Sequence, residues 1–275
     1  MKKLIALAAA ATCGAALAVE SANIVGYQNK SLATGSNAFV CQTILPMNTA
    51  AEAVTLGDIL PTDGADGWAY DTDFLATLKP NGNKNASYGY LSPYWANKYF
   101  EDEQAGWYDL SVCQDEEFDG ATKKNSTVIP FGTGVLVYTS GSGVTVTFAG
   151  EVKDEEVALG LATGSNSFVG NASPVDLTLG DLLPTGGADG WAYDTDFLAT
   201  LKPNGNKDAS YGYLSPYWAN KYFEDEQAGW YYLSVCQDEE FDGATKKNDV
   251  QIPAGQAFLV YTAGSGIELV VPSPL

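Results

Sequence analysis

The chain has 275 residues, with 34 acidic side chains, 14 basic ones and no histidine, giving a formal net charge of −20. All of the positive charge is lysine, so no clustered Arg and Lys surface is present to hold phosphates, which argues against a nucleic-acid partner. Without histidine there is no ordinary catalytic triad and no neutral-pH proton shuttle, so the expectation is a protein that is not an enzyme, with no catalytic residues.

In chain order, residues 1–18 come first and read as a secretory signal peptide. Met1-Lys2-Lys3 is positive, residues 4–11 are apolar, and Ala16-Leu17-Ala18 is a small-residue cleavage site. No later run approaches the 18 or so apolar residues of a membrane-spanning helix. The expected product is exported and has no membrane span. Its destination is the extracellular space or the cell surface, with the periplasm as the alternative.

Everything after the leader falls into two copies of one module, residues 19–150 and 151–275. Residues 55–125 recur as residues 178–248 with 67 of 71 positions identical, the exceptions being Ile59/Leu182, Asp63/Gly186, Asn85/Asp208 and Asp109/Tyr232. The flanks match less well: residues 126–148 and 249–271 share 10 of 23 positions. Any function must therefore be one that a doubled module can perform.

Within each copy the pattern is β. The opening "LATGSNAFV" aligns with "LATGSNSFV" at an offset of 129, and the central block aligns at 123. The missing six residues are expected in a surface loop between Gln42 and Thr55, where length changes cost little. Residues 55–60, "TLGDIL", form the one expected helical turn, closed by Pro61. Farther on, Val135-Leu136-Val137-Tyr138 is apolar on both faces and reads as a central strand. Val144, Val146 and Phe148 alternate with Thr145 and Thr147, as Ile267, Leu269 and Val271 do with Glu268 and Val270. Glycine and proline punctuate the rest, and the acidic linker 151–156 is short enough to set the modules end to end. The fold expected is all-β, two tandem similar modules, each a β-sandwich or a compact barrel.

The ordered motifs "GSNAFV", "TLGDILP", "GWYDLS", "VIPFGTGVLVY" and "VTVTFAGEV" resemble a tandem β-module of exported bacterial proteins of unknown function. The resemblance covers both copies from about Ile24 to the end. It implies a β fold and export, and it transfers no catalytic residue. The second copy departs from the closing motif, reading "ELVVPSPL".

Three groups of residues could carry binding. The first is aromatic: all six tryptophans lie in the near-identical block, each copy of which holds "SYGYLSPYWANKYF". Position 109 carries Asp in one copy and Tyr at 232 in the other, which points it to solvent. Period two then sets Trp107 and Trp230 on the same outward face, with Tyr108, Leu110 and Val112 inward. Tyr88 and Tyr90, with Tyr211 and Tyr213, share a face as weaker candidates. Flat rings beside carboxylates and hydroxyls suit stacking on sugars.

The second group is acidic. Asp66, Asp71 and Asp73, with Asp189, Asp194 and Asp196, flank a glycine-rich turn and are the candidate calcium ligands. They lack the alternating pattern of an EF-hand, and a solvated acidic surface accounts for them without a metal. The third group is Cys41, Cys113 and Cys236. In an oxidising compartment a Cys41–Cys113 bridge leaves Cys236 free, and a Cys113–Cys236 bridge leaves Cys41 free. The spacing does not choose between them.

Two functional expectations follow. One is a structural or surface-contact component of an envelope, matrix or adhesive assembly, partnered by itself or by other envelope proteins. The other is a bivalent carbohydrate-binding protein that holds extracellular polysaccharide through the repeated aromatic segments, where paired weak sites gain avidity.

Overall fold

The computed structural model describes residues 25–45, 53–153, 155–185 and 190–274. The expected signal peptide, most of the loop between Gln42 and Thr55, and Asp189 lie outside these residues. Strands predominate, helices are few and short, and the chain forms two similar halves.

The first half runs β1 (Val25–Ser31), β2 (Ser36–Cys41), β3 (Ala53–Thr55), β4 (Ile59–Pro61), β5 (Phe74–Leu78) and β6 (Lys84–Leu91). Then follow α1 (Pro93–Tyr99), β7 (Gly106–Asp109), α2 (Leu110–Asp115), β8 (Val128–Pro130), β9 (Gly134–Thr139) and β10 (Thr145–Glu151). A five-stranded antiparallel sheet has the order β2-β9-β5-β6-β7, and a three-stranded sheet has the order β1-β10-β4. One apolar core draws on both: Val40, Leu75, Trp107 and Val137 from the first sheet meet Ile59, Val146 and Phe148 from the second.

The second half repeats the plan with β11 (Val157–Gly160), β12 (Ser165–Gly170), β13 (Leu177–Thr178), β14 (Leu183–Pro184), β15 (Phe197–Leu201) and β16 (Lys207–Leu214). It ends with α3 (Pro216–Tyr222), β17 (Gly229–Tyr232), α4 (Leu233–Asp238), β18 (Gln251–Ile252), β19 (Ala257–Thr262) and β20 (Glu268–Val271). Its sheet orders are β12-β19-β15-β16-β17 and β11-β20-β14. Corresponding side chains do corresponding work. Tyr138 stacks on Phe74 at 5.4 Å, and Tyr261 on Phe197 at 5.6 Å.

The strand patterning holds in detail. Val144, Val146 and Phe148 are buried, as are Ile267, Leu269 and Val271, while Glu268 is exposed. β9 is paired on both sides, by β2 and β5, as its apolar run requires. The helical turn forms as a single 3₁₀ turn, Leu56–Asp58, closed by a capping box in which Thr55 N and Oγ1 donate to Asp58 Oδ2 at 2.8 and 2.7 Å.

Two features were not expected. Each half carries two further short α-helices, which pack on the outer face of the β6–β7 or β16–β17 hairpin. The halves are also docked, rather than merely strung end to end. Val40 bridges to Gln256 and Thr133 to Val169, positions that exchange when the copies exchange. The amide of Cys41 donates to Gly255 O at 2.8 Å, and that of Gly170 donates to Gly132 O at 3.1 Å. Reciprocal contacts of this kind define an approximate two-fold relation between the halves.

Candidate functional site

The expected outward position of Trp107 and Trp230 is wrong. They are 1% and 0% exposed, and each indole Nε1–H donates to a core carbonyl, Ile59 O and Leu182 O, at 3.1 Å. Trp107 does share a face with Asp109, but that face is the core face, and Asp109 sits where the strand runs out into solvent. The exchange at this position swaps partners on an equivalent lysine: Lys124 pairs with Asp109 at 2.9 Å, whereas Lys247 lies 4.5 Å over the Tyr232 ring. Tyr108 is buried too, against the helices on the other face. Tyr88, Tyr90 and Tyr211 are core residues and Tyr213 is partly buried against the core, so none presents a free ring.

The aspartates do not converge. Asp66, Asp71 and Asp194 are exposed, while Asp73 and Asp196 are fully buried. Asp73 accepts from Ala69 N, Thr139 Oγ1, Ser140 N and Ser140 Oγ at 2.7–3.0 Å, which ties the loop after β9 to the turn before β5. Among the described residues no group of three or more Asp, Glu, Cys or His is placed to hold a metal ion. Neither expected disulfide is formed. Cys41, Cys113 and Cys236 are buried free thiols, Cys113 and Cys236 each in their own half's small helical cluster and Cys41 at the junction.

The surface that does present rings is built by α1 and its equivalent α3. Ser92 caps α1 by accepting from Trp95 N at 3.4 Å, and Pro93 fills the first helical position. The helical repeat then places Trp95 and Tyr99, four residues apart, on one face, where they stack at 5.5 Å and 12°. Trp95 is locked in place because its Nε1–H donates to Trp68 O at 3.0 Å. Tyr99 stays 58% exposed, as Tyr222 does at 57%.

Facing these rings, Tyr70 packs edge-on against Trp95 and Phe100. Its hydroxyl donates to Glu116 Oε1 at 2.7 Å. Burial, followed by this bond to a carboxylate, pushes the Tyr70 phenol above its ordinary value, so it keeps its proton. Glu116 ends α2 in the left-handed region with φ 56°, a conformation that costs a non-glycine residue roughly 1 kcal/mol or more. Glu239 repeats it.

Tyr70, Trp95, Tyr99, Phe100, Asp71 and Glu116 thus line a cavity of about 530 Å³. Tyr193, Trp218, Tyr222, Phe223, Asp194 and Glu239 line its twin of about 500 Å³. Both fall within the roughly 300–1,000 Å³ usual for small-ligand sites. Of the expected site residues only Asp71 and Asp194 lie here. Trp95 and Tyr99 are not among the expected residues, because two-residue alternation, which selects Trp107 and Tyr88, carries no signal within a helix. Ser-Pro followed by an aromatic pair at i, i+4 is the helical signal that could have found them.

In comparisons with known proteins, no family model, no curated protein and no solved structure matched this chain.

Proposed function

We propose that this chain is a non-enzymatic, exported binding protein that holds polysaccharide bivalently through its two aromatic pockets. The observation that carries the reading is the pair of equivalent cavities, each with a stacked Trp–Tyr wall and two carboxylates. Sugar rings present flat apolar faces that stack on such walls, and their hydroxyls donate to carboxylate oxygens. Two sites on docked halves give avidity from individually weak contacts.

A polysaccharide pull-down or glycan array tests it. The expected result is binding that is lost in the Tyr99→Ala/Tyr222→Ala variant, whose rings lie at the surface. Retention by that variant of full glycan binding refutes the reading. A second reading, a contact unit in an envelope, matrix or adhesive assembly, draws on the same exposed rings, with Tyr217 at 41% beside them. Ordered self-assembly with no glycan bound favours it.

A further inference from the structure

We infer that the ligand each pocket takes carries a protonated amine, so that the polysaccharide held is one with free amino groups. This rests on the binding reading above and narrows its chemistry.

The argument starts from the polar groups the pocket has left to offer. The donors deep in its wall are already spent: Tyr70 Oη–H on Glu116, and Trp95 Nε1–H on the Trp68 carbonyl. The twin pocket spends Tyr193 on Glu239 at 2.7 Å and Trp218 on the Trp191 carbonyl at 3.1 Å in the same way. What remains toward the cavity is ring face, one tyrosine hydroxyl (Tyr99 or Tyr222) and carboxylate, Asp71 with Glu116 in one pocket and Asp194 with Glu239 in the other. Among the described residues no basic side chain lines either one. A site richer in acceptors and π-faces than in donors favours a ligand that brings donors and positive charge. Ring quadrupoles are negative at the face and attract ammonium groups within about 6 Å of the centroid.

The protein already uses these rings in this way. Lys98 Nζ sits 5.5, 5.1 and 4.8 Å from the centroids of Tyr94, Trp95 and Tyr99. Lys221 repeats this at 5.5, 5.3 and 4.9 Å over Tyr217, Trp218 and Tyr222. The stacked pair therefore already accepts an ammonium from the protein, and the cavity sets two carboxylates beside the same rings. A neutral sugar would gain the stacking and donate hydroxyls to the carboxylates, but it would bring no charge to meet them. An acidic sugar would be repelled by them.

Isothermal titration of the full chain at pH 6 separates the classes, using a trisaccharide of glucosamine, its fully N-acetylated counterpart and cellotriose. The amino trisaccharide should fill two sites and bind about tenfold more tightly than the other two. Glu116→Gln/Glu239→Gln should lower it to their level, and Tyr99→Ala/Tyr222→Ala should abolish binding. Equal affinity for all three overturns the amine inference and leaves the binding reading standing. Amine binding that survives loss of both tyrosines is diffuse attraction to the acidic surface, and it also overturns the inference. Binding of none of the three overturns both.

Discussion

Cys41 and Gly170 occupy equivalent positions in the two halves and face one another across the junction: a β-carbon added to Gly170 would lie 2.4 Å from Cys41 Cβ. Their strand partners complete the fit in reverse. Cys41 pairs with Gly134, and Gly170 pairs with Ala257, whose Cβ would lie 2.8 Å from one added to Gly134. Each half thus contributes one side chain and one bare backbone position, and the four interlock around the two-fold relation. Two identical copies could not do this, because equivalent side chains would collide with themselves.

Gly170→Ala should therefore weaken the docking. The added carbon also lies 2.7 Å from Gln256 O, which backbone pairing holds in place. Overpacking of this kind costs about 1–3 kcal/mol, read as a lower urea midpoint. Cys41→Gly in the same chain should recover part of that loss. A Gly170→Ala protein with an unchanged midpoint would show that the junction adds nothing to stability.

Trp107 and Tyr99 should behave oppositely on truncation. Trp107→Ala removes a fully buried indole, its edge-on contact with Trp68 at 5.7 Å and its bond to Ile59 O, at a cost of about 3–5 kcal/mol. Tyr99→Ala trims an exposed ring and should change stability by about 0.5 kcal/mol or less. Thermal unfolding of the two variants decides between them, and similar losses would overturn the assignment of core and pocket.

This contrast shows how far the sequence could be read. Alternation located the strands and their faces, because one face of each small sheet is solvated and Thr145 or Glu268 marks it. It failed at β7, where Trp107 packs into the main core and Tyr108 under the helices. A strand covered on both sides has no polar face, so Asp109 was the only polarity signal, and it reports the strand's end rather than its outer side. The helices were too short to show a periodicity, and the pocket depends on Tyr70, Trp95 and Glu116 meeting from three separate segments. The junction was equally hidden. Cys41/Gly170 reads as drift between copies until the copies are placed against each other.

The buried aspartates give a pH-dependent prediction. Asp73 has two hydroxyl donors in Thr139 and Ser140, but its equivalent, Asp196, meets Ala263 where the first half has Ser140. Burial raises the proton affinity of Asp196 above the usual 3.8. A carboxyl with a raised folded pKa gives its full contribution to stability below 3.8 and loses it as pH rises through the folded value. Ala263→Ser supplies a donor to the ionised form, so it should stabilise the protein by about 1 kcal/mol near pH 7 and by much less below pH 4. Denaturation midpoints at the two pH values test this, and an equal gain at both would refute it.

The free thiols set the alkaline limit. Cys113 lies directly under Gly89, where an added β-carbon would fall 2.7 Å from Sγ, and Cys236 lies under Gly212 in the same way. Burial pushes both thiols from 9.0 up to about 12. Above pH 9 the unfolded chain releases thiol protons that the folded chain retains, so stability falls as pH rises through the interval from 9 to 12. At pH 10.5, 1.5 units above the unfolded value, the loss should be about 2 kcal/mol per thiol. Cys113→Ala/Cys236→Ala should start less stable at pH 8 because of the small cavities left, yet lose less on going to pH 10.5. Native protein at pH 8 should react slowly with Ellman's reagent, and rapidly once unfolded. Fast labelling of the folded chain at that pH would mean that α2 and α4 lift readily from their sheets.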